Sequence, residues 1–274
     1  MRTLFRIKYG LALLFIIALS ALTYYVFLDG YFVFNFRTTQ NTISSTEYVD
    51  LKGLNDLNAS GGPMIRYDSL KDKLNPFKGE KIVVDAIGSE SGFVKGFPST
   101  YFSYQQNPPE WRYYLRRLLF TGTTQVRTDL FIPEESEAQK YGFKFVQFKI
   151  GSKFASTPEA VTQFVTFIDS LQPNTWVHFH CRGGKGRTTM MLVMYDIMKN
   201  APDVALADIV KRQYLLGSID LFDTTAWSRG TYRVEALQER KAFIENFYAF
   251  IHQRKTGGIQ TWSEWIQQQK VTPS

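Results

Sequence analysis

The stretch HFHCRGGKGRTT, residues 178–189, holds the chain's one cysteine, Cys181, among glycines and cations. A thiol there has the makings of a nucleophile. Gly183, Gly184 and Gly186 permit a tight loop after a strand, and a helix is expected to begin at about Arg187. Amides from Arg182 to Arg187 would then point at a tetrahedral oxyanion, aided by the helix dipole. The same field favours thiolate over thiol. Arg187 offers a planar fork for two oxygens at once, which a lysine lacks. Thr188 brings a hydroxyl within reach of the sulfur. A Walker loop needs Gly-Lys-Ser/Thr in a different register, and a dinucleotide fingerprint needs no cysteine or arginine here. A merely structural cysteine would sit among apolar neighbours, not glycine and cation.

The elements that must position this loop are legible on either side of it. TWVHFH, residues 175–180, reads as a strand and TTMMLVMYDIMKN as a buried helix. KIVVDAIG, residues 81–88, is a β-branched apolar run stopped by glycine, as a buried strand would be. FKFVQFKI, residues 143–150, alternates like a strand, and Pro158 opens a helix running to about Leu171. GLNDLNASGGP, residues 53–63, reads as turn and loop, and DSLKDKLNPF as a short helix. Residues 89–132 are irregular and aromatic with one helical patch, EWRYYLRRLLF; everything after residue 204 reads as helical. Strand, helix, strand, glycine-rich loop, helix is α/β order with a parallel core sheet flanked by helices.

Composition narrows the function classes. The 274 residues carry a net charge of +7, which suits acidic ligands, although Arg2, Arg6 and Lys8 supply three of the positive charges. Without basic runs, zinc spacing or RNA-binding aromatics, a nucleic-acid partner is not expected. One cysteine excludes an internal disulfide framework, and three histidines with no ligand spacing give no metal or cofactor site. At the N-terminus, MRTLFRIK precedes an uncharged apolar run, residues 9–28, long enough to cross a bilayer. Residues 1–30 are therefore expected to be a signal anchor or a signal peptide, and residues 31–274 a catalytic domain. Basic residues before the run place that domain on the extracytoplasmic side, membrane-anchored or secreted.

His-Cys-x5-Arg-Thr resembles the signature of the cysteine-dependent, protein-tyrosine-phosphatase-like (PTP-like) superfamily, and TWVHFHCRGGKGRTTMMLVMYDIMKN resembles more closely the bacterial PTP-like cysteine phytases. FNFRT, LNDLNASGG, IVVDAIGSESGFVKGFP, STPEAVTQF, IENFYAFI and TWSEW follow that family's order, so the resemblance spans residues 34–265. It implies a PTP-like fold, with a small β subdomain. It also implies that Cys181 attacks phosphorus to give a cysteinyl-phosphate, that Arg187 stabilises the phosphoryl group, that Thr188 activates the thiol and that His180 supports the loop. Arg37 is similar to a substrate-facing arginine of the family. The cations Arg182 and Lys185 make the loop closer to C-K-A-G-K-G-R of phosphoinositide 3-phosphatases, so the expected substrate is an inositol polyphosphate, free or lipid-borne.

Two positions depart from the family. Ser152 stands where the aspartate general acid belongs, and Ile87 follows Asp85-Ala86 where an arginine is usual. An acid from elsewhere (Glu159, Asp220 or Asp223) or a neighbouring substrate phosphate would fill the role. The alternatives are a phosphoinositide or phosphotyrosine phosphatase, or a pseudophosphatase that binds inositol phosphates with little turnover.

Overall fold

Apolar, β-branched runs that bury both faces belong in a parallel sheet, and that is where they lie. The computed structural model describes residues 2–31, 35–87, 90–104, 110–148, 157–226 and 233–271. In chain order the elements are α1 (Arg2–Tyr31), β1 (Arg37–Thr38), β2 (Ala59–Pro63), α2 (Tyr67–Leu74), β3 (Lys81–Asp85), β4 (Gly92–Val94), β5 (Phe97–Pro98), α3 (Trp111–Thr121) and β6 (Phe131–Pro133). There follow α4 (Glu134–Lys140), β7 (Lys144–Gln147), α5 (Pro158–Asp169), β8 (Trp176–Cys181), α6 (Gly186–Asn200), α7 (Leu206–Leu215), α8 (Val234–Lys255) and α9 (Trp262–Val271).

The main sheet runs β1-β2-β8-β3-β7, with β1 antiparallel at one edge and the other pairs parallel. β8, which ends in Cys181, is central, and its register sets Cys181 beside Pro63 and His180 beside Asp85. Side-chain alternation divides the core in two. Ile82, Val84, Val177 and Phe179 face a large cluster that includes α5–α9 side chains, while Val83 and Trp176 face α2 and α4 through Tyr67, Leu70, Leu74 and Ala138. Every residue of α6 from Thr188 to Met198 is buried. A helix wrapped on all sides holds its N-terminus, and so the loop before it, rigidly. Each fully buried aliphatic side chain there contributes roughly 1.5–3 kcal/mol.

One expectation needs correction. The second half of 53–63, read as loop from its glycines and proline, is strand β2, buried next to β8. The glycines answer to packing. A Cβ on Gly61 would lie 2.6 Å from Leu192 Cδ1 and 2.8 Å from Thr188 Cγ2, so a bare backbone lets α6 sit against the sheet. The aromatic stretch 89–132 is more ordered than its sequence pattern suggests. It contributes β4, β5, β6 and α3, and the strands form a separate antiparallel sheet, β5-β4-β6, around Val94, Phe97, Tyr101 and Phe102. Helix α1 carries the apolar run: mean hydropathy is 2.1 over Lys8–Phe27.

Candidate active site

Cys181 ends β8 and is 4% exposed. The loop turns back at Gly184, where φ is +68° and a Cβ would lie 2.4 Å from Pro63 N; no other residue fits. Among the three loop glycines, Gly184 alone has positive φ. The start of β1 and the residues just ahead of it reach under the turn: Asn35 Nδ2 donates to Gly183 O (3.0 Å) and Arg37 Nη1 to Gly184 O (2.8 Å). A trans peptide carries its N–H opposite its C=O, so drawing these carbonyls outward directs the following amides into the loop.

Thr188 Oγ1 lies 3.2 Å from Cys181 Sγ and 3.3 Å from Gly62 O. Burial resists charge on the sulfur. It is outweighed by hydrogen bonds from the Thr188 hydroxyl and amide, the Arg187 charge and the Gly183 amide, which hold the thiol below its ordinary value. Arg187 Nη1 donates to Ala86 O (2.8 Å) and Ile87 O (2.6 Å), just past β3. Its Nε and Nη2 have no protein acceptor among the described residues, so the guanidinium is held by one nitrogen and offers two donors. Arg182 and Lys185 are exposed at the rim.

Beneath the loop lies a buried ionic group. His180 Nε2 is 3.1 Å from Glu134 Oε1, and its Nδ1 is 3.9 Å from Asp85 Oδ1. Burial disfavours the imidazolium, but Glu134, then Asp85, and the Cys181 thiolate outweigh it and raise His180 to about 9. Asp85 is raised by burial despite the His180 charge, and it accepts from Ile87 N (2.7 Å), Ser91 Oγ (2.8 Å) and Gln147 Nε2 (2.8 Å). Glu134 also accepts from Tyr67 Oη at 3.2 Å. These three residues bring ligand atoms within 4.8 Å of one another, a grouping that could hold a cation. A charged His180 already supplies the positive partner. His178 is different: burial, then His180 and Arg37, push its imidazole well down, and its Nδ1 meets Ser60 Oγ at 2.9 Å. It is a neutral packing residue.

The family profile of PTP-like phytases, described by inositol hexakisphosphate, matches residues 118–199, which contain β8, the loop and α6. A PTP-like phytase from Bdellovibrio bacteriovorus superposes with a TM-score of 0.62 at 26% identity, over 86% of this chain and 90% of that one. Residues 118–199 therefore carry a PTP-like phytase family domain. A second family structure, the PTP-like myo-inositol phosphatase from Mitsuokella multacida in complex with myo-inositol-(1,3,4,5)-tetrakisphosphate, aligns with a TM-score of 0.66 at 22% identity. The alignment covers 86% of this chain but 47% of the Mitsuokella chain, so this chain spans about half of that relative's length. AvrBs1.1 of Xanthomonas campestris is 36% identical over 90 residues, which are 33% of this chain and 86% of that protein.

Within this PTP-like phytase fold, the sequence-predicted residues fall into three sets. Cys181, Arg187, Thr188, His180 and Gly183–Gly186 come together at one strand end. Arg37, expected to face substrate, is 2% exposed and donates to the loop carbonyl of Gly184, to Asn35 O and to Thr189 Oγ1 (3.1 Å); burial lowers its pKa to about 10. Its donors address the loop from behind. Glu159, in the first turn of α5, and Asp220 and Asp223, before α8, form no hydrogen bond or ion pair with Cys181, Arg187 or Thr188 among the described residues. Asp220 caps Phe222 N (2.8 Å) and Asp223 caps Thr225 N (2.8 Å). The Thr225 bonds hold the Asp223 carboxyl below its ordinary value. Ser152 lies outside the described residues. Sequence reasoning missed Glu134 altogether and gave Asn35, inside FNFRT, no role. Glu134 sits in an acidic run, EESE, that reads as a solvated helix start, and only the fold turns it toward His180.

Proposed function

We propose that the protein is a phosphomonoesterase that hydrolyses inositol polyphosphates through a cysteinyl-phosphate. The Cys181 thiolate attacks phosphorus, forming the S–P bond as the P–O bond to the inositol oxygen breaks. Arg187 and the loop amides take the charge of the three equatorial oxygens. Water then attacks phosphorus, forming a P–O bond as the S–P bond breaks, which releases phosphate and returns the thiolate, whose departure the Thr188 hydroxyl favours. The observation that carries this reading is Cys181 Sγ 3.2 Å from the Thr188 hydroxyl, its thiol lowered in part by the charge of Arg187, a guanidinium with two unengaged nitrogens. The exposed cations Arg182 and Lys185 flank the scissile phosphate, where further phosphates on the same ring would sit. A family relative that holds a myo-inositol tetrakisphosphate supports the substrate class.

The inositol alkoxide leaving as that bond breaks needs a proton. Glu159, Asp220 and Asp223 are the candidate carboxyl groups, and a neighbouring phosphate on the substrate is the alternative donor. A second reading rests on Ser152 in place of the family's aspartate: a pseudophosphatase that binds the same ligand with little turnover. Phosphate release from inositol hexakisphosphate, measured for the parent, Cys181→Ser and Ser152→Asp, separates the two. Turnover in the parent that is lost in Cys181→Ser supports the enzyme. Activity appearing only in Ser152→Asp supports the pseudophosphatase. The same reading takes residues 1–30 as a membrane anchor and residues 31–274 as the catalytic domain on its extracytoplasmic side, because Arg2, Arg6 and Lys8 precede the apolar run.

A further inference from the structure

Helix α3 is inside out. At about 100° per residue, Tyr114, Leu118, Trp111, Leu115 and Leu119 fall on one continuous arc of roughly 140°. That arc faces outward: Trp111 is 52% exposed, Tyr114 42%, Leu118 46% and Leu119 61%. The opposite side buries arginines, Arg116 at 0% and Arg117 at 4%. Arg116 is fixed there by hydrogen bonds from Nη1 to Tyr101 O (2.7 Å) and from Nε to Val26 O, and its guanidinium lies 4.0 Å from the centre of the Tyr101 ring. The orientation is therefore built in. An amphipathic helix packed against a domain would normally turn its leucines inward.

The bond to Val26 O ties this helix to the last turns of α1. Tyr25 stacks on Trp111 with ring centres 5.7 Å apart, and Phe27 packs against Phe120 (6.0 Å) and Tyr101 (6.5 Å). Leu22 and Tyr25 of α1, 44% and 48% exposed, continue the same apolar surface. Above them α1 is outward-facing and apolar along a membrane-length run. If α1 crosses a bilayer, α3, packed on its last turns, would stand where the run leaves hydrocarbon, the layer in which tryptophan and tyrosine concentrate. An outward face of Trp, Tyr and Leu is the composition of a helix lying in that layer.

We propose that the outward arc of α3 is seated in the interfacial layer of the bilayer that α1 crosses, so that the small sheet and α3 fix the tilt of the catalytic domain over the membrane. The occupant is lipid because the arc is continuous with the apolar surface of α1. This inference rests on the reading of α1 as a retained anchor, and the test separates the two. The full chain in the Cys181→Ser background is reconstituted in phosphatidylcholine vesicles. Nitroxide is attached at Leu118→Cys, Leu119→Cys or Tyr114→Cys on α3, at Ile17→Cys in α1, and at Glu245→Cys on the far helix α8. Variants that melt cooperatively are compared for collision with oxygen and with a water-soluble nickel chelate; any of the three α3 sites reports. The proposal predicts an oxygen-to-nickel ratio on α3 severalfold above that at Glu245→Cys and below that at Ile17→Cys. A ratio on α3 equal to that at Glu245→Cys, with Ile17→Cys lipid-embedded, overturns the seat and leaves the anchor. Aqueous values at Ile17→Cys overturn both. Exclusion of both reagents from α3, with short label-to-label distances between chains, would put a second copy there and overturn the proposal too.

Discussion

At the residue scale, a buried thiol beside Thr188 and a buried imidazole beside Glu134 are shifted in opposite directions. Arg187 holds its place through one nitrogen on Ala86 O and Ile87 O and keeps a fork for phosphate. Arg187→Lys retains the charge but not the fork, so kcat should fall by roughly 10²–10³, with a smaller change in KM, in steady-state phosphate release. The His180–Glu134 pair gives a pH signature. His180 is raised from 6.5 to about 9, so its contribution to stability is fully present below about pH 6.5 and lost as pH rises through about 9. At ~1.4 kcal/mol per unit, that contribution is ~3 kcal/mol. The thiol of Cys181, lowered in the fold, acts with the opposite sign below its ordinary value. The clean measurement is therefore urea unfolding in a Cys181→Ser background at pH 6.5 and pH 9. Glu134→Gln should be the less stable chain at the lower pH and should show a much smaller loss between the two.

At the scale of elements, the loop was legible because its residues are contiguous: cysteine, glycines, arginine and threonine stand in one stretch between an apolar strand and an apolar helix. β3 and β8 were legible for the same reason, since each is a run of residues that bury themselves on both faces. What escaped was set by distance in sequence. Ala-Ser-Gly-Gly-Pro carries no strand pattern, because its side chains were given up so that α6 could approach; that pressure comes from Thr188 and Leu192, more than a hundred residues away. Glu134 and Asn35 likewise acquire meaning from partners elsewhere in the chain. Gly61→Ala tests the packing argument. The new methyl meets Leu192 Cδ1 and Thr188 Cγ2, so the chain should lose about 1–3 kcal/mol in urea unfolding. Activity should fall further than stability alone accounts for, because one displaced atom belongs to the threonine that bonds the sulfur.

For the molecule as a whole, net charge and architecture act together. A chain of charge +7 with cations at the rim of its loop should gather a polyanion from solution. Raising salt from about 50 mM to about 500 mM shortens the screening length, so KM for inositol hexakisphosphate should rise severalfold while kcat stays level. A fall in kcat with KM unchanged would place the salt effect on chemistry instead of encounter. The covalent intermediate is tested most directly by a rapid acid quench of the full chain mixed with inositol hexakisphosphate, followed by mass analysis of the peptide holding Cys181. The covalent mechanism gives one added phosphoryl group on Cys181, formed and lost within turnover and absent in Cys181→Ser. Phosphate release without that adduct, or release that persists in Cys181→Ser, would contradict it.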